Sequence, residues 1–167
     1  PEFAEAEKAV QARIDHLMGI KGKKSVDSIH KELGHIMWEY VGMGRTEEGL
    51  KTALKLLKDI RKEFETNLFI PGSTEGVNIE LEKALRLNDF ITMGELIAYD
   101  ALNRNESCGG HFREEYQTEE GEAKRDDENY FYVSCWEYQG SDDVAPVLYK
   151  EPLVYEAIKV QTRNYKS

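Results

Sequence analysis

One stretch gathers every residue type that nucleophilic or metal chemistry needs. Asn103 to Tyr116, NRNESCGGHFREEY, holds a cysteine, a histidine, a glycine pair, two arginines and three glutamates. Cys108 and His111 lie three apart. A thiol nucleophile needs a base within hydrogen-bond reach and a third group to orient that base. Glu106, Glu114 or Glu115 could orient His111, and Gly109-Gly110 could present backbone N–H groups to an oxyanion. A glycine pair between thiol and imidazole leaves that geometry undetermined.

The same C-x-x-H pair could be half of a zinc site, with Cys135 as a third ligand. Structural zinc takes four ligands, usually in two close pairs, and the spacing supplies one pair. His16, His30 and His35 fall on predicted helices, and His30 and His35, five apart, do not share a helix face. No G-x-G-x-x-G follows a strand and no G-x-x-x-x-G-K-[ST] occurs, so a phosphate or dinucleotide cradle is not expected. The third reading of the loop is a joint. Small residues allow close backbone approach, and Arg113 and Arg125 can each hold a carboxylate bidentately.

Composition bounds the classes. The chain has 167 residues with 22 Lys+Arg against 32 Asp+Glu, a formal charge of −10, which argues against nucleic acid as a partner. Its one basic cluster, Lys21-Gly22-Lys23-Lys24, reads as a solvated turn between helices. Two cysteines do not make a disulfide scaffold, and two free thiols in a reducing cytosol is the simpler reading. No apolar run reaches the roughly 20 residues needed to span a bilayer, and the chain is expected to be soluble. It opens on Pro1 and is expected to be a piece of a longer protein.

The elements that must position the loop are helical on its N-terminal side. Val10, Ile14, Leu17 and Met18 recur at helical spacing before Gly19 and Gly22. A second helix from Ser25 carries Ile29, Leu33, Ile36, Met37 and Tyr40 on one face, and Gly42 to Arg45 breaks it. Thr46 is an N-cap for a third, with Glu47 and Glu48 in the first turn and Leu50, Ala53, Leu54, Leu57, Ile60 and Phe64 as its stripe. A fourth runs from about Asn78 to Asn103, with Leu81, Leu85, Ile91, Ala98 and Leu102 as core. After residue 103 the chain turns acidic and glycine-bearing, too charged to bury over 104–129. YFYVSCWEY (Tyr130 to Tyr138) is a strand, QGSDD a turn, and Val144 to Val160 two more short extended runs interrupted by Pro146 and Pro152. The expected fold is α+β and mostly α: an antiparallel bundle of three to four helices over 4–103, a polar loop over 104–129, and a small β tail over 130–160. All of it is expected to form one domain, 1–167.

The loop also resembles a known family. Arg104, Glu106, Ser107, Gly109, His111 and Arg113, followed by Arg125, Asp126 and Asp127, match a pattern in the C-terminal helical domain of succinate dehydrogenase and fumarate reductase flavoprotein subunits. Upstream, LGHIMWEYVGMGRTEEGLKTAL (Leu33 to Leu54) is similar to the family's helix–break–helix, and EPLVYEAIKVQTRNY (Glu151 to Tyr165) to its closing segment. The matches up to Tyr130 span roughly Ser25 to Tyr130. Departures are Cys108 for the usual arginine, Gly110 for alanine, Glu115 for aspartate, Tyr130 for tryptophan, and a longer spacer over Gln117 to Lys124.

The resemblance implies a parent that interconverts succinate and fumarate through FAD. It also implies that the catalytic and flavin-binding residues lie N-terminal to this chain, which itself holds no catalytic, cofactor or metal site. The implied partners are the parent's own FAD-binding and capping domains, an iron–sulfur subunit and a membrane anchor. The implied location is cytoplasmic, peripheral on the inner face of the membrane. Arg104, Glu106, Ser107, Gly109, His111, Arg113, Arg125, Asp126 and Asp127 become an interdomain structural motif, with Arg113 and Arg125 pairing across the boundary. L-aspartate oxidase shares this architecture, and a stand-alone α+β interaction module is the reading from another class.

Overall fold

A computed structural model describes residues 1–141 and 144–161, which fall into two compact units, Pro1–Leu102 and Asn103–Ser167. The first unit is helical: α1 (Glu2–Gly19), α2 (Val26–Val41), a two-residue extended segment β1 (Gly44–Arg45), α3 (Glu47–Asn67) and α4, which begins at Ile79 and runs to Asn103. The starts are fixed locally. Ser25 Oγ accepts from the Ser28 N–H at 3.2 Å, Thr46 Oγ1 from Gly49 at 3.0 Å, and Asn78 Oδ1 from Leu81 at 3.0 Å. Each satisfies an amide that the first helical turn would leave open.

The core is the overlap of three apolar faces. Ile29 and Leu33 of α2, Leu50, Leu57 and Phe64 of α3, and Leu87, Ile91 and Ala98 of α4 are all buried. A side chain of that size contributes about 1.5–3 kcal/mol when fully buried. Lys24, just before α2, bridges to Leu68, just after α3, and its ammonium reaches Glu63 at 3.3 Å, so α2 and α3 run antiparallel. Gly94 lets α4 come close: a β-carbon there would lie 3.1 Å from Met37 Sδ and 3.7 Å from Leu57 Cδ2. Arg61 ties α3 to α4 through Glu95 at 2.6 Å and Thr92 at 3.0 Å.

Three expectations need correction here. Val10 is exposed, and α1 is buried only at Leu17 with Ile14 and Met18 packed beside it. Arg13, bonded to the Leu85 carbonyl at 3.2 Å and Asp89 at 3.3 Å, and His16, 2.7 Å from Glu65, hold the C-terminal half of α1. Periodicity tells which residues share a face, not how far the neighbouring helix extends. Leu85 and Leu102 are half-buried flanks, while Ala84, Leu87, Gly94 and Ala101 take the buried positions of α4. The Lys21–Lys24 turn is also packed rather than simply solvated. Gly22 N–H donates to the Leu68 carbonyl at 3.0 Å, and Lys24 N–H to that of Asn67 at 2.9 Å.

The second unit holds a short extended segment β2 (Phe112–Arg113), one helical turn α5 (Asp127–Tyr130), and an antiparallel ribbon of β3 (Tyr132–Glu137) and β4 (Val147–Pro152). The ribbon pairs Cys135 with Tyr149 and Trp136 with Leu148. Tyr130 therefore belongs to a helical turn capped by Asp126, not to a strand. Only one of the two extended runs expected after Val144 is a strand, β4, which ends at Pro152. Asp142 and Asp143 of the expected turn, and Thr162 to Tyr165 of the closing segment, lie outside the described residues.

Candidate functional site

The polar loop of the second unit is where sequence chemistry and structure meet. Its first residue, Arg104, acts as a clamp. The guanidinium donates to Glu106 Oε1 at 2.8 Å and to the carbonyls of Tyr130 at 3.2 Å and Tyr132 at 2.9 Å. It also stands over both tyrosine rings, 5.7 and 5.1 Å from their centroids. Glu106 is buried, and its second oxygen accepts the Asp126 N–H at 2.9 Å. One carboxylate thus joins the start of the loop to its far end, twenty residues on. Asp126 in turn caps α5 through the Asn129 N–H at 3.2 Å.

Ser107 and Arg113 form the inner rung. Both are buried, contrary to the expectation that the loop is too charged to bury. The Arg113 guanidinium holds Glu115 at 3.1 Å and lies 5.4 Å from the centre of the Tyr116 ring, so the buried cation has a carboxylate and a ring face. Between these residues the chain reverses at Gly109, whose φ of +59° is the left-handed conformation that glycine adopts without strain. Cys108 and His111 exchange backbone bonds across that turn at 2.8 and 3.0 Å.

The Cys108–His111 pair is held in place by main chain and by one ring bond. Its two members are joined through main chain, and the His111 Nε2 is 2.9 Å from the Arg104 carbonyl. A carbonyl only accepts, so Nε2 donates there and a neutral ring keeps its lone pair on Nδ1. Cys108 and Cys135 are both free and exposed, and among the described residues no three histidine, cysteine or carboxylate groups converge as metal ligands.

Arg125 is held by Asp127 at 2.5 and 3.0 Å and by the Gln161 carbonyl at 3.2 Å; the Asp127 bond raises its affinity for the proton. The structure thus joins Arg104, Glu106 and Asp126 in one network and Ser107 with Arg113 in a second. The His111 bond to the Arg104 carbonyl attaches the turn, and Arg125 with Asp127 is a separate pair. Sequence reading missed Tyr132 and Tyr116 as partners of the arginines. The signal for Tyr132 was present: Tyr130 and Tyr132, two apart, were expected on one strand face, where their rings could share a neighbour.

The chain is a mostly helical α+β protein whose polar loop is braced by its own arginine–carboxylate pairs, and its relatives share this form. Residues 30–165 match the family described as fumarate reductase flavoprotein C-term, and the chain belongs to that family. It is 37% identical over 88 residues to an L-aspartate oxidase of Nicotiana tabacum, covering 53% of this chain and 13% of that protein. It is 29% identical over 121 residues to the fumarate reductase flavoprotein subunit of Proteus vulgaris, covering 72% and 19%. A solved quinol–fumarate reductase superposes with a TM-score of 0.75 at 25% identity, over 93% of this chain and 26% of that one. The chain therefore spans between 13% and 26% of the lengths of these proteins.

Proposed function

We propose that this chain is the C-terminal domain of the flavoprotein subunit of a succinate dehydrogenase or fumarate reductase, with both units serving one structural role. The carrying observation is the family match across residues 30–165, which includes the entire Arg104–Asp127 network. The parent would interconvert succinate and fumarate through FAD and pass electrons through an iron–sulfur subunit at a membrane anchor. It would sit peripherally on the cytoplasmic face. None of the helices among the described residues is long and apolar enough to cross a membrane, which fits a peripheral place.

A dinucleotide phosphate is held by helix N-terminal amides after a glycine-rich turn. The chain has no such fingerprint, and one first-turn amide of each of α2, α3 and α4 is taken by Ser25, Thr46 or Asn78. FAD would be held by the rest of the parent, and this part alone would be inactive. Arg104, Glu106, Ser107, Gly109, His111, Arg113, Arg125, Asp126 and Asp127 would brace the loop as the joint beside the flavin and capping domains. Because Arg113 is buried and held by Glu115, its part in that joint would be internal, leaving the more exposed Arg125–Asp127 pair to face a neighbour.

L-aspartate oxidase is the second reading, favoured by the higher identity to the tobacco enzyme over a shorter span. The test is to express the longest polypeptide containing this chain and assay it with succinate, with fumarate and with L-aspartate. Turnover of the dicarboxylates without aspartate oxidation supports the first reading. Aspartate oxidation assigns the second, and the lack of any longer polypeptide refutes both.

A further inference from the structure

Helix α4 has more apolar surface than its own unit covers. One face, with Leu87, Ile91 and Ala98, is in the core. Phe90, Met93 and Ile97, spaced i, i+3, i+7, form a second stripe that stays 47%, 56% and 40% exposed. A helix apolar on both sides is ordinarily buried on both sides. On α2, His30, Gly34 and Trp38 form an i, i+4, i+8 row, and His30 stacks on Phe90 with ring centroids 5.6 Å apart, which sets the two rows side by side. A β-carbon at Gly34 would meet nothing within 4 Å, so the row dips between His30 and Trp38, whose indole is 82% exposed. The result is a shallow apolar seam within the helical unit.

We propose that this α2–α4 seam is the face on which the remainder of the longer flavoprotein polypeptide packs. The inference rests on the family reading above and specifies which surface serves it. The occupant follows from length and area. The chain covers at most 26% of the relatives described above, so most of each relative is a body attached to the matched part. The four exposed side chains of the seam offer on the order of 500 Å². A freely diffusing partner or a second copy generally needs about 800 Å² per side to hold. A covalently attached domain meets the seam at an effective concentration near millimolar, so a smaller patch suffices.

The test substitutes Met93→Glu and Ile97→Glu together, in this 167-residue chain and in the longer polypeptide. Both side chains are exposed here, so the 167-residue chain is expected to keep its helical circular dichroism and its melting curve. The longer polypeptide is expected to melt in two steps instead of one and to become sensitive to limited proteolysis between its parts. Wild-type behaviour of the substituted polypeptide in both assays would overturn the proposal. So would light scattering that finds the 167-residue chain dimeric and the doubly substituted chain monomeric, since the seam would then belong to a second copy. A longer polypeptide that holds no flavin in either form counts against the family reading instead, and proteolysis still decides the seam.

Discussion

The Ser107 hydroxyl bonds both backbone groups of Arg113: its Oγ accepts the Arg113 N–H at 2.8 Å and donates to the Arg113 carbonyl at 3.1 Å. A six-residue span is thereby tied off by one side chain, in a place closed to water. Ser107→Ala strands the buried Arg113 N–H, at a cost of about 1–3 kcal/mol, while the Arg113 carbonyl keeps the Tyr116 N–H at 2.8 Å. Urea denaturation should show a loss of about 1–3 kcal/mol, and a loss below about 0.5 kcal/mol would show that the rung is dispensable.

Glu106 carries a charge where Ser107 carries a hydroxyl. Glu106→Ala leaves Arg104 without its carboxylate and the Asp126 amide without its acceptor. Breaking one side of a buried pair is costlier than the pair's own net value, about 3–5 kcal/mol. Glu106→Gln keeps the shape and an acceptor oxygen, and should lose less. Equal losses for the two variants, measured side by side, would mean that charge has no part in the network.

At Gly22 the determinant is space. A β-carbon there would lie 1.9 Å from the Asn67 carbonyl carbon and 2.0 Å from its oxygen, both of them backbone. Gly22→Ala must push the turn off the end of α3 and should cost about 1–3 kcal/mol. Gly19→Ala, whose β-carbon meets nothing within 4 Å, is the control and should be neutral or stabilising. Similar melting temperatures for the two variants would contradict the close approach.

The Lys24 clamp predicts a pH profile. Hydrogen bonds from Asn67 and then Lys24 hold the Glu63 carboxyl below its ordinary range, and Glu32 and then Glu63 hold the Lys24 ammonium above its own. A depressed carboxylate stabilises the fold above its unfolded pKa of about 4.3, and that contribution disappears as pH falls through the folded value. A raised ammonium stabilises it below about 10.4, and that contribution disappears as pH rises through the folded value. The stability difference between wild type and Lys24→Met should therefore be flat from about pH 5 to 9 and shrink beyond each end. A difference that persists undiminished at about pH 3 would rule the clamp out as its source.

Cys108 should be silent where Gly109 is not. Both bonds that place Cys108 come from its main chain, so Cys108→Ser should leave folding and metal content unchanged. Gly109→Val forces a branched residue into the left-handed region and should cost about 1–2 kcal/mol. A serine variant that loses metal or activity would return the loop to the list of candidate sites.

What the sequence alone determined is what depends on neighbours in the chain. Helix starts at Ser25, Thr46 and Asn78 were legible because a cap acts across three residues, and the faces of α2 and α3 because burial repeats every 3.6. The Arg104–Asp127 pattern and its family were legible too, since a motif is a local spacing. Tertiary structure decided the rest. That Glu106 turns inward depends on Asp126 twenty residues on, and the Arg104 clamp on Tyr132 twenty-eight residues on. Local composition counts these residues as charged and therefore solvated, but burial follows from whether a distant partner completes the hydrogen bonds. Val10 looked like core because its spacing placed it on the right face, and only the packed helices show that it stays 59% exposed.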